Sequence, residues 1–124
     1  MNIEEKLIFI VSQPRAGSTL LQNILSNNSL VNTVSEPWVL LSLAPLLNPS
    51  LVIAKYDYNL TIDAVKQYTN RYEEFELLSI VKKIANEFYK KMLIGNFSFI
   101  IDKTPRYYEI LDVIQQLYPK SKSC

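Results

Sequence analysis

The octet Ser12-Gln13-Pro14-Arg15-Ala16-Gly17-Ser18-Thr19 gathers a cation, a glycine and hydroxyls between an apolar run and a stretch of helical period. Those residue types at that junction suit an oxyanion. Free N–H groups and the positive dipole end of a helix would point into such a loop. Gly17 would let the backbone close on oxygen atoms, Arg15 offers a planar fork of donors, and Ser18 and Thr19 add hydroxyls. The same residues also fit a plainer arrangement, a helix capped by Ser18 or Thr19 with Arg15 in solvent. Against the Walker pattern G-x-x-x-x-G-K-[ST], only Gly17 and Thr19 match, with Ser12 in place of the first glycine and Ser18 in place of the lysine.

Composition narrows the chemistry further. The 124 residues include no histidine, two glycines and a single cysteine, Cys124. Imidazole bases, serine–histidine pairs, histidine metal ligands, disulfide frameworks and a GxGxxG dinucleotide loop are therefore excluded. A net charge of +1 argues against broad nucleic-acid binding, which needs a dense basic face. What remains is chemistry by carboxylate, lysine, arginine, hydroxyl and backbone N–H. Two further groups stand out on that ground. Glu36, in Ser35-Glu36-Pro37-Trp38, is either a base or a glutamate stabilising the first turn of a helix. Lys103, after a second apolar run, is either a ligand contact at a sheet's carboxyl edge or a solvated turn lysine. Asp102 before it would cap or orient.

The elements that must position these groups follow from hydrophobic period. Lys6 to Ser12 reads as a strand buried on both faces, as in a parallel sheet. Gln13 to Ala16 form a loop, and from Gly17 the residues Leu20, Leu21, Ile24 and Leu25 recur at helical spacing up to Ser26. Ser35 is read as the N-cap, and Pro37 as a first-turn residue, of a helix running through Trp38 to about Leu47, bent or broken near Pro45. Asn48 to Asn59 reads as loop, with Thr61 capping a helix to Thr69. Tyr56, Tyr58, Tyr68 and Tyr72 are expected to cover the core. Glu73 to Leu93 forms a longer helix whose stripe comprises Phe75, Leu78, Val81, Ala85, Phe88 and Met92. Gly95 sits where a helix C′ residue is wanted, before a second buried strand over Phe97 to Asp102. Lys103-Thr104-Pro105 reads as a turn and Tyr107 to Tyr118 as a helix ended by Pro119. The chain is thus α/β, a P-loop-like three-layer arrangement on a parallel sheet: strand-loop-helix, helical insert, strand, helix. No run is long enough for a membrane span, and a cytoplasmic protein is expected.

Three blocks resemble the sulfotransferase family. QPRAGSTLLQNIL is similar to its 5′-phosphosulfate loop in the subgroup reading PRSGSTLL; Ser35-Glu36-Pro37-Trp38 is similar to the acidic segment after the first helix; and Asp102 to Tyr108 reads DKTPRYY. The resemblance implies a sulfuryl donor, 3′-phosphoadenosine 5′-phosphosulfate (PAPS), no metal, and an acceptor hydroxyl or amine. It implies that Arg15, Ala16, Gly17, Ser18, Thr19 and Leu20 hold the donor. It assigns catalytic roles to Arg15, to Glu36 as general base and to Lys103 at the transferring group. The glutamate base belongs to the tyrosylprotein branch, where its spacing from the loop arginine is that of Glu36 from Arg15; the cytosolic branch uses a histidine, which this chain lacks.

Tyr118-Pro119-Lys120-Ser121-Lys122 is similar to the family's F-P-x-A-K segment, after which relatives carry a 3′-phosphate block of the type R-x-P-x-x-x-x-x-S. Residues 1–124 contain no such block. They are expected to be the N-terminal part of one domain, with an impaired reaction and an exposed sheet edge open to association. A P-loop kinase or NTPase is the rival enzyme, because FSFIID resembles a Walker B strand. An inactive remnant or interaction module is the rival without activity.

Overall fold

The computed structural model of the chain describes residues 2–11, 18–33, 37–72, 76–104 and 106–123. An apolar run of β-branched and aromatic residues makes β1 (Leu7–Ile10). Leu7, Phe9 and Ile10 are buried, as a strand covered on both faces requires. The strand begins with the apolar run at Leu7, one residue after the expected Lys6, because α1 (Ile3–Lys6) precedes it as one helical turn. Asn2 caps that turn by accepting the Glu4 N–H at 3.1 Å. α2 (Ser18–Ser26) follows, then a short strand that the apolar pattern does not reveal, β2 (Val31–Thr33).

α3 (Val39–Leu43) tightens into a 3-10 turn over Ala44–Leu46, where Pro45 falls. This is the bend expected there, since proline cannot supply the N–H that an α-helix would use. A second 3-10 turn covers Pro49–Leu51 within the expected loop. α4 (Tyr58–Thr69) starts before Thr61: its cap is Asp57, whose Oδ1 accepts the Leu60 N–H at 3.1 Å. Tyr56 meets the half-buried Tyr58 edge-to-face and Tyr68 meets Tyr72 at a tilt; Tyr56, Tyr68 and Tyr72 are exposed, so they are not a cover over the core.

α5 (Leu77–Lys91) buries Val81, Ala85 and Tyr89, and Met92 continues that stripe. Phe88, expected on the stripe, is 56% exposed; Tyr89, one position on, takes the inward place. Phe75 lies outside the described residues. Past Lys91 the chain turns through Gly95 at φ +106° and Asn96 at φ +70°, and Gly95 is where a left-handed conformation is least costly. β3 (Phe99–Lys103) takes in Lys103, which had been read as a turn residue. A 3-10 turn (Tyr107–Ile110) leads into α6 (Leu111–Leu117), and Lys122–Ser123 form β4.

The four strands lie in the order β2-β3-β1-β4, all parallel. Register fixes the faces, because alternate residues of a strand point to opposite sides. Leu7 pairs with Ile100 and Phe9 with Asp102, so these four share one face. There the Phe9 ring meets Tyr89 at 6.3 Å, Tyr107 at 6.1 Å and Tyr118 at 6.0 Å between centroids. Ile8, Ile101 and Thr33 share the other face through the same registers. The buried Gln22 of α2 donates to Thr33 Oγ1 at 2.6 Å, which places α2 on that side. Helices therefore cover both faces, the expected three-layer α/β form. Lys122 and Ser123 pair with Ile8 and Phe9, so β1 is an inner strand.

Candidate active site

In a parallel sheet all carboxyl ends lie on one edge, and here three neighbouring strands lead from it into the three sequence blocks. β1 ends at Ile10, opposite Lys103 in the register, and leads toward the octet and α2. β2 ends at Thr33, opposite Ile101, and leads toward the segment containing Glu36. β3 ends with Lys103 itself, between the other two. Arg15, Ala16, Gly17 and Glu36 lie outside the described residues. Ser18, Thr19 and Leu20 form the first turn of α2, a nine-residue helix that begins at the same edge.

Asp102 and Lys103 are both almost fully withdrawn from water, at 0% and 6% exposure. A solvated turn lysine is thus ruled out. By strand alternation Lys103 faces the α2 side, while Asp102 faces the tyrosines. There the Asp102 carboxylate accepts three hydroxyl bonds. Tyr107 donates to Oδ2 at 2.6 Å, Tyr89 donates a short bond to the same oxygen, and Thr104 donates to Oδ1 at 3.0 Å. Burial raises the carboxyl above its ordinary range, and the Tyr107, Tyr89 and Thr104 hydroxyls act against that rise. The Tyr89 and Tyr107 phenols are pushed up, first by burial and then by the neighbouring carboxylate, and stay neutral donors.

Two of those hydroxyls also reach α3. Thr104 Oγ1 accepts the Trp38 N–H at 3.3 Å, and Tyr107 Oη accepts the Leu40 N–H at 3.1 Å. Trp38, the N-cap of α3, has φ +56° and ψ +17°, a left-handed conformation unusual for a bulky side chain. Its ring is 47% exposed and walls a cavity of about 310 Å³ with Leu41, Pro45, Leu51, Arg106 and Ile110 among the lining residues. At the rim Arg106 grips Glu109 with both nitrogens of its fork, Nε to Oε2 at 2.6 Å and Nη2 to Oε1 at 3.0 Å. Tyr107 is buried at the start of its 3-10 turn, whereas Tyr108 is exposed.

A parallel sheet in which β1 is followed by α2, with β3 inserted between β1 and β2 and Lys103 at the carboxyl edge, defines a P-loop-like α/β protein. Residues 8–123 match the family model described as "Sulfotransferase family", and the chain belongs to that family. This membership replaces the kinase or NTPase alternative. Over 122 residues the chain is 27% identical to "Nodulation protein NoeE" of Sinorhizobium fredii (strain NBRC 101917 / NGR234), an alignment covering 93% of this chain. The chain spans 27% of the length of that relative. No solved structure matches the chain significantly. Among the described residues, no helix is long and apolar enough to cross a membrane.

Proposed function

We propose that the chain carries the 5′-phosphosulfate half of a PAPS-dependent sulfotransferase site that acts on an acceptor hydroxyl or amine. The observation that supports this reading is that β2, β3 and β1, the strands that lead into the three family blocks, are adjacent and parallel, so that their carboxyl ends share one edge. A buried cation, Lys103, next to the strand that leads into α2 fits an anionic donor there. Arg15, Ala16 and Gly17, with the first-turn N–H groups of Ser18, Thr19 and Leu20, hold the donor's phosphosulfate. PAPS as substrate supplies an activated sulfuryl group.

The acceptor oxygen or nitrogen bonds to sulfur as the bond from sulfur to the 5′-phosphate oxygen breaks. Glu36 takes the acceptor proton, and the desulfated nucleotide (PAP) leaves with the bond's electron pair. Lys103 and Arg15 offset the charge that develops on the leaving phosphate and the sulfuryl oxygens. The acceptor enters by the cavity beside Trp38, two residues after Glu36 in sequence. With no R-x-P…S block within residues 1–124, these residues hold the 3′-phosphate poorly and turn over little.

An amide-shift NMR titration with PAP tests the reading. Weak binding is expected, with the perturbed amides among Ser18, Thr19, Leu20 and Thr104, and its loss is expected in Arg15→Ala and Lys103→Met. No magnesium is needed. Stronger perturbation of the same amides by magnesium–ATP, or no response to PAP at millimolar concentration, would overturn it; the second result favours an interaction module.

A further inference from the structure

We infer that Asp102 is a positioning residue: through the hydroxyls of Thr104 and Tyr107 it fixes the left-handed Trp38, and so the wall of the cavity that Trp38 lines. The chain of contacts is continuous. The carboxylate accepts from Thr104 and Tyr107 at 3.0 and 2.6 Å, and the oxygens of those hydroxyls accept the Trp38 and Leu40 N–H groups at 3.3 and 3.1 Å. Because each hydroxyl spends its one proton on Asp102, its lone pairs must face the α3 amides, so the carboxylate sets the polarity of both links. Thr104 and Tyr107 are buried, at 1% and 0% exposure, so water is not at hand to replace either partner.

Trp38 shows why such fixing is needed. A tryptophan at φ +56° does not hold that conformation on its own account and persists only where its surroundings over-determine it. No side chain caps α3 at Trp38. Its N–H and that of Leu40 are instead held from outside, by the residues that follow β3. The end of one strand therefore dictates how the chain enters α3 and where the indole stands at the cavity. Tyr89 supplies an internal comparison: it donates to the same carboxylate from α5 and lies against the Tyr107 hydroxyl, but the Trp38 and Leu40 N–H groups are held by Thr104 and Tyr107, not by it.

Trp38 is the only tryptophan of the chain, so its emission reports this one position. Thr104→Val and Tyr107→Phe are expected to shift the Trp38 emission maximum and to speed amide exchange at Trp38 and Leu40 respectively by about tenfold, the factor for one net hydrogen bond. Tyr89→Phe should leave both readings at Trp38 unchanged, and Thr104→Ser, which keeps the hydroxyl, should restore them. Equal changes in Tyr89→Phe, or none in Thr104→Val and Tyr107→Phe, would overturn the inference. The meaning of this positioning for acceptor binding rests on the sulfotransferase reading above, but these readouts need no nucleotide and no turnover. Failure of the PAP titration and failure of this test are therefore separate results.

Discussion

Replacing Asp102 by alanine should be among the most damaging single changes in the chain. The carboxylate is fully buried and accepts from three hydroxyls. Removing it leaves the Tyr89, Tyr107 and Thr104 protons without an acceptor, at about 1–3 kcal/mol for each buried donor. Relief comes from one source: a buried carboxylate whose ionised form is disfavoured no longer has to be kept there. Before that relief the loss is about 3 kcal/mol even at the low end, a large part of the roughly 5–15 kcal/mol that holds a domain together. Asp102→Asn keeps the shape and an acceptor oxygen and should cost about 1–2 kcal/mol, the difference between charged and neutral hydrogen bonds.

The pH dependence carries its own sign. Because the folded carboxyl titrates above its ordinary 3.8, the folded protein binds the proton more tightly than the unfolded chain does. The stability this confers is fully present below 3.8 and is lost as pH rises through the elevated folded value. Asn has no such dependence, so the advantage of wild type over Asp102→Asn should shrink as pH rises through that window. Urea titrations followed by far-UV circular dichroism at several pH values measure both quantities. A loss under about 1 kcal/mol in Asp102→Ala, or a wild-type advantage that grows as pH rises there, would refute the reasoning.

Glu4 should behave in the opposite sense. It accepts from Lys82 at 2.8 Å and takes a short bond from the Lys120 N–H. Burial opposes its ionised form, but these two donors outweigh burial and hold it below its ordinary 4.5. Its contribution is present above 4.5 and lost as pH falls through the lowered folded value, so acid unfolding should begin earlier in wild type than the Glu4→Gln difference at neutral pH would suggest. At neutral pH, thermal unfolding of Glu4→Gln should show a loss of about 1–2 kcal/mol. Gly95→Ala forces a Cβ onto φ +106° with the Phe97 ring 3.4 Å away and should cost more than about 1 kcal/mol in the same assay. Asn96→Gly, at φ +70°, should be close to neutral. In a complete enzyme Glu36→Gln should lower kcat by about 10²–10⁴-fold with the KM for PAPS little changed, measured as sulfate transfer.

The parts of the fold legible in the sequence are those with strong period and clear punctuation. β1 and β3 are apolar runs bounded by polar residues, and α5 shows its stripe over several turns. The elements that escaped are short or polar. Val31-Asn32-Thr33 is too brief for its alternation to register, and its place as an outer strand depends on Thr33 Oγ1 donating to Ile101 O and Asn32 Nδ2 donating to Met92 O. Those bonds join residues far apart in sequence, which no local window contains. The start of α4 is a competition between Asp57 and Thr61, two residues able to cap, and only the three-dimensional path decides for Asp57. The same holds for the positioning network: Asp102, Thr104 and Tyr107 are visible in a single block, but their partners at Trp38 and Leu40 are not.

Strand parity explains how one dipeptide can serve two ends. Asp102 and Lys103 are adjacent, oppositely charged and both buried, and as neighbours in solution they would be expected to pair with each other or with water. At the end of a strand they cannot share a face. The pairing of Phe9 with Asp102 sends the carboxylate toward Tyr89 and Tyr107, and the pairing of Ile10 with Lys103 sends the ammonium toward the α2 side. A slip of one residue between β1 and β3 would exchange them, placing the carboxylate on the α2 side and the lysine among hydroxyls that already donate. Apolar residues fill both faces of these strands, so what opposes the slip is the fit of the Phe9 ring among Tyr89, Tyr107 and Tyr118 and the three hydroxyls on Asp102, both of which belong to one face only. Core packing thus decides which charge reaches the α2 side and which is kept to hold α3, and neither role can be moved without unpacking the sheet.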